Sequence, residues 1–183
     1  HFQSLIDGAG NTVRAKVTGS QHEKDVCLMF ADGLRYDVAG MLAERLQEKG
    51  LRVRLNHRIA PLPTVTSTAK PLATLSHDKL EGGEDIVDFN PRLKNSPQAA
   101  TAQRLRDDMA DRGIDLLGED IRPPKQGSTG GWLETGKLDE LGHKLGARLA
   151  AQIDNELEML LDKVTGLFES GDRKSTRLNS SHA

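Results

Sequence analysis

Three short stretches of this chain hold side chains that could meet a divalent cation and a phosphate. In the first, Phe30-Ala31-Asp32-Gly33-Leu34-Arg35-Tyr36-Asp37, an aspartate follows directly on an apolar run. Ligands of open parallel sheets bind beyond the carboxyl ends of strands, where a carboxylate can hold a hard or borderline cation. An ordinary turn aspartate is the other reading of Asp32. In the second, Pro63-Thr64-Val65-Thr66, a threonine just ahead of a helix can aim its hydroxyl at phosphorus, with the next amides and the helix dipole facing the phosphate. A threonine hydroxyl is a poor nucleophile unless a metal lowers its pKa; a simple helix N-cap is the plainer role. In the third, Leu138 to Gly146, Asp139 and His143 are four apart and share a helix face. One carboxylate and one imidazole at that spacing suit zinc, with bonds of roughly 2.0–2.2 Å each; an exposed Asp–His pair fits the spacing equally well. Two cations stand near these stretches. Arg35 follows Asp32, and Lys70 lies four residues after Thr66. Either could bind a phosphate, against a structural ion pair for Arg35 and a solvated side chain for Lys70.

The elements around these residues read as an α/β arrangement. Val26–Ala31 (VCLMFA) is a continuous apolar run, the pattern of a strand covered on both faces, and it ends in the turn pair Asp32-Gly33. From Val38 to Lys49 the apolar residues Val38, Met41, Leu42 and Leu46 share one helical face, and Gly50 follows as a C-cap. Leu51 to Ile59 alternates apolar and mostly basic residues and predicts a second strand, which would complete a βαβ unit of a parallel sheet. The segment 61–68 predicts a loop, with a helix starting near Ala69. Residues 81–97 predict an irregular excursion, Ala99 to Arg112 an amphipathic helix with Leu105 and Met109 inward, and Gly118 to Gly131 a Pro- and Gly-rich loop. Leucines recurring at three and four from Leu138 to Phe168 predict one long helix, weakened by about 1 kcal/mol at each of Gly142 and Gly146, which could also let a backbone or ligand approach.

Composition narrows the classes. The 183 residues suit one domain or the front of a larger one, with 36% hydrophobic and 28% charged residues. A net charge of −2 is not that of a strongly basic nucleic-acid-binding domain, and 3% aromatics are too few for base-stacking platforms. The single cysteine, Cys27, excludes an internal disulfide framework and predicts a reducing, cytoplasmic setting. No apolar run approaches the ~20 residues of a membrane span, so no membrane partner is expected.

The order of the three motifs resembles the alkaline phosphatase superfamily: a strand-end D-G, then P-T-x-T with the second threonine as nucleophile, then D-x-x-G-H-x-x-G. Here these are Asp32-Gly33, Pro63-Thr64-Val65-Thr66 and Asp139 to Gly146. The A-D-G-L-R-Y-D context of Asp32 and the run from Trp132 to His143 resemble the PglZ domain of bacterial phage-defence systems, and the likeness extends over about Val26 to Gly171. The resemblance implies a mostly parallel sheet flanked by helices and a metal-dependent phosphatase or phosphodiesterase. It also implies two divalent ions, zinc by the family's habit. Asp32 and Thr66 would hold one and Asp139 and His143 the other, with Thr66 forming a phospho-threonine intermediate and Arg35 and Lys70 binding substrate. The partners it implies are a phosphoester substrate, nucleic acid among the candidates, and other defence-system proteins.

The chain departs from the family pattern in one serious respect. The superfamily needs a further D-H pair at a later strand end and one more histidine, and neither follows Gly171 here. Instead, Asp172 to His182 (DRKSTRLNSSH) resembles a translated sequencing adapter; an ordinary Ser-rich disordered tail is the alternative. The expectations are therefore a domain truncated at its C-terminus, a non-native tail over 172–183 with no place in the fold, a flank over 1–25, and a partial catalytic domain over 26–171. The parent is expected to be an active hydrolase and this fragment inactive. Two further readings stay open, an inactive PglZ-like scaffold in a multi-protein defence complex and a generic α/β domain.

Overall fold

A computed structural model describes residues 26–55, 66–74, 76–81, 91–94, 96–118, 121–170 and 175–180. The stretches 1–25 and 56–65, which include His57, Pro63, Thr64 and Val65, lie outside the described residues. Strand β1 (Val26–Ala31) is buried at every position, as its unbroken apolar run requires when both faces are covered. It lies inside a four-stranded parallel sheet in the order β4 (Ile114–Leu116), β5 (Gly130–Thr135), β1, β6 (Ser175–Ser180). A separate two-stranded antiparallel ribbon pairs β2 (Leu80–Glu81) with β3 (Arg92–Leu93). The fold is thus mixed α/β, a small parallel sheet flanked by helices.

Helix α1 (Tyr36–Glu48) buries Val38, Leu42 and Leu46 at successive four-residue steps and ends at Lys49, followed by Gly50 at φ +81°. With α5 (Ile153–Ser170), which buries Leu157, Leu160, Leu161, Val164 and Leu167, it covers the sheet face formed by Cys27, Met29, Ala31 and Leu133. Each fully buried leucine contributes about 1.5–3 kcal/mol, so this face carries most of the core's stabilisation. On the opposite face Val26, Leu28, Phe30, Ile114 and Trp132 pack with Met109 of α3 (Ala102–Asp111). The Phe30 and Trp132 rings stack there with centroids 6.3 Å apart. Helix α3 starts at Thr101, whose side chain accepts from the Arg104 amide at 3.4 Å, and Leu105 and Met109 point inward as their spacing predicts. Helix α2 (Thr66–Ala73) begins three residues earlier than Ala69 and makes Thr66 its first residue.

Four expectations are corrected. Leu51 to Leu55, the described part of the second predicted strand, pairs with nothing in the sheet. Both edges of β1 are taken, by β5 and β6, so the alternation of Leu51 and Val53 with arginines serves packing against the core instead. The predicted loop from Gly118 to Gly131 ends in β5, whose Gly-Gly opening hid a strand. The long helix is two: α4 (Lys137–Leu145) stops at Gly146, where φ is +51°, and a 3-10 turn over Gly146–Ala151 leads into α5. The positive φ is available to glycine without steric cost, and it re-aims the chain. Finally, Ser175–Ser180, expected to stand outside the fold, pairs in parallel with all six residues of β1. Backbone pairing asks only for an extended segment, and the backbone groups along one edge of a buried strand need partners whatever sequence supplies them.

Candidate functional site

The carboxyl edge of the sheet brings Asp32 and Thr66 together. The Asp32 amide donates to the Thr135 carbonyl at 2.8 Å, which extends the β1–β5 ladder one residue beyond the strand and pins Asp32 at its end. The Thr66 hydroxyl, on the first residue of α2, donates to Asp32 Oδ1 at 3.3 Å in a partly buried setting. This is long for an O–H···O bond, yet it joins two residues 34 apart in sequence.

Asp139 reaches this edge through Gly33. A Cβ placed on Gly33 would lie 2.6 Å from the Asp139 nitrogen and 2.8 Å from its Cα, and Gly33 itself has φ +76°. Only glycine satisfies both conditions, so the first turn of α4 rests directly on the turn that follows Asp32. The close approach expected at Gly142 and Gly146 occurs here instead; a Cβ on Gly142 would make an ordinary 3.8 Å contact and one on Gly146 none within 4 Å. His143 Nε2 lies 3.6 Å from Asp139 Oδ2, but its side chain is 81% exposed against 31% for Asp139. The imidazole therefore stands at the surface, one turn along α4 from its partner.

The two predicted phosphate-binding cations are both ion-paired. Arg35 meets Asp37 two residues on, at 2.6 Å. Lys70 meets Glu134 at 2.6 Å, each side chain 17% exposed. Glu134 was not among the residues the sequence singled out, and it is the most heavily bonded carboxylate near the site. It accepts from Lys70 Nζ, from Arg106 Nη2 at 2.9 Å and Nε at 3.2 Å, and from Trp132 Nε1 at 2.8 Å. Burial alone would raise its pKa, but the bonds from Arg106, Lys70 and Trp132 hold it down at about 2. Its only sequence signal was an acid between Trp132 and Thr135, which says nothing without the strand.

Away from this edge, Asp115 accepts from Arg122 at 2.5 and 3.1 Å and from the Lys125 amide at 2.8 Å, tying the 121–125 loop across β4. The Arg122 guanidinium holds the Asp115 carboxyl below its ordinary range. Burial, then the Asp115 charge, pushes the Cys27 thiol up to about 11, so it serves as a small apolar side chain and not as a nucleophile.

No family model, no curated protein and no solved structure matches the chain. No helix among the described residues is long and apolar enough to cross a membrane. A divalent cation asks for oxygen and imidazole donors; Asp32 and Thr66 present oxygens at one sheet edge, and the Asp139 backbone lies against the turn beside it. They fit a metal in kind but fall short in number. Among the described residues no group of three or more His, Cys, Asp or Glu converges.

Proposed function

We propose that the chain belongs to a metal-dependent phosphoester hydrolase of the alkaline phosphatase superfamily, related to PglZ domains, with Thr66 as the nucleophile. The observation that carries this is the Thr66–Asp32 contact at 3.3 Å. It joins the two residues that the motif order assigns to one metal, at the sheet edge where open α/β folds bind ligands. The approach of Asp139 to Gly33 adds support, since it draws the third motif to the same edge.

In this reading Asp32 and Thr66 would hold one divalent ion and Asp139 and His143 would contribute to a second, with the remaining ligands supplied from outside the described residues. Bound ions would supply charge neutralisation for the phosphate and a lowered pKa for the nucleophile. The Thr66 oxygen attacks phosphorus, forming the Oγ–P bond as the ester P–O bond breaks; the proton that the hydroxyl gives up ends on the leaving oxygen, which departs as the alcohol. Asp32 orients the hydroxyl through the bond that it accepts. The first amides of α2 face the phosphate oxygens. Water then attacks the phospho-threonine, breaking Oγ–P and returning a proton to Thr66. Phosphate monoesters and diesters, nucleic acid among the latter, are both chemically admissible.

One observation favours a second reading. The His143 side chain is 81% exposed, which suits a scaffold that does without the chemistry. Assay of the parent protein, loaded with zinc or manganese, on an aryl phosphate and an aryl phosphodiester separates the two. The hydrolase reading expects turnover that Thr66→Ala abolishes with the fold intact, and metal content that falls in Asp139→Ala and His143→Ala. Full activity in Thr66→Ala would remove the nucleophile assignment, and an inert wild-type parent with full metal would favour the scaffold.

A further inference from the structure

Helix α2 has eight residues and carries Pro71 inside it. Isolated helices shorter than ~12–15 residues are marginal, and an internal proline removes one backbone bond as well. Its position therefore depends on tertiary contacts. The apolar ones come from Ala69 and Pro71, which are buried, and from Ala73, which packs against the cluster around Phe30 and Trp132. The strong directional contact is Lys70 to Glu134 at 2.6 Å, with the ammonium also 5.7 Å from the centre of the Phe30 ring.

Thr66 and Lys70 are four apart and share a face of α2, roughly 5–6 Å from each other. Phe30 is in register with Glu134, so Glu134 sits level with the residue two before Asp32. Thr66 to Asp32 and Lys70 to Glu134 are thus two attachments of one helix to neighbouring strands, one turn apart. A single attachment would leave the helix free to pivot; two define its height and its rotation. Glu134 is itself held by Arg106 and Trp132, so Lys70 must come to it. We propose that Glu134 is a positioning residue, which through Lys70 anchors α2 and thereby sets the Thr66 hydroxyl against Asp32. Its consequence for turnover rests on the phosphoryl-transfer reading above, whereas the anchoring does not. Misplacing a reacting group by about 1 Å can cost on the order of 100-fold in rate.

The competing role for Lys70 is direct binding of substrate phosphate, and the two roles oppose each other in Glu134→Gln. If Lys70 is a phosphate ligand, loss of the Glu134 charge frees it, and KM falls or holds with kcat kept. If Glu134 positions α2, kcat falls by at least about 10-fold in both Glu134→Gln and Lys70→Met with KM little changed, and Lys70→Arg recovers most of it. Backbone hydrogen exchange over 68–74 in the 183-residue chain gives a readout that needs neither metal nor substrate. Relative to the β1 amides, it should quicken by about 10-fold or more in Lys70→Met and Glu134→Gln, and return in Lys70→Arg. Unaltered exchange in both variants would overturn the anchoring. Normal kcat in both, in a parent that Thr66→Ala inactivates, would overturn its role in turnover. If Thr66→Ala leaves the parent active, the nucleophile reading falls while exchange still decides the anchoring.

Discussion

Adding one methyl group at Gly33 tests how tightly the turn after Asp32 is locked to α4. The new Cβ would sit 2.6 Å from the Asp139 nitrogen on a residue held at φ +76°. The obstruction is backbone, which cannot swing aside as a side chain could. Gly33→Ala should therefore destabilise the fold by about 2–4 kcal/mol, combining left-handed strain with overpacking. Urea denaturation checks this, and a loss below about 0.5 kcal/mol would mean that α4 does not rest on this turn. At the same scale, Asp32, Thr66 and Asp139 were legible in the sequence because each sits in a short local pattern. Glu134 was not, because its meaning comes chiefly from Lys70 and Arg106, donors on two other elements.

For the elements, the charge on Glu134 links α2, α3 and β5, and acid should loosen that link. Its folded pKa, about 2, lies below the ordinary value of 4.5. A depressed carboxylate pKa contributes stability that is fully present above the unfolded value and lost as pH falls through the folded one. Glu134 should therefore contribute on the order of 2–3 kcal/mol above pH 4.5, disappearing between roughly pH 4.5 and 2. Thermal melts across that window should fall less steeply in Glu134→Gln than in the wild-type chain. Parallel slopes would mean that the carboxylate is not held this strongly. The break between α4 and α5 belongs to this scale too. Leucine periodicity ran unbroken across Gly146 because both helices face the same core, and the turn between them is visible only in its positive φ.

The whole molecule hangs on β1, which has a parallel neighbour on each side. Deleting residues 171–183 removes β6 and opens one edge of a strand that is apolar and buried at all six positions. Exposed edges of this kind template pairing with other chains. The shortened chain should self-associate in size-exclusion chromatography with light scattering, and the β1 amides should lose protection. A monomeric product with β1 still protected would show that β6 is dispensable. The strand also corrects the expectation that this segment lies outside the fold. A sequence without hydrophobic period can still be drawn into a ladder when an unpaired edge awaits it.

What the sequence determined by itself was local. The unbroken apolar run of Val26–Ala31, the four-residue steps of Val38, Leu42 and Leu46, and the inward Leu105 and Met109 each announce their element, because burial on one face leaves a period within a few residues. Asp32 at a strand end follows from the same logic. What only the tertiary structure decided was pairing at a distance: β5 and β6 on the two sides of β1, Asp139 against Gly33, and Lys70 on Glu134. It also left His143 at the surface, since spacing on a helix sets which residues share a face but not what that face meets. Such contacts depend on where separate elements dock, and docking is set by the sum of packed surfaces and satisfied backbone groups, which no single segment records.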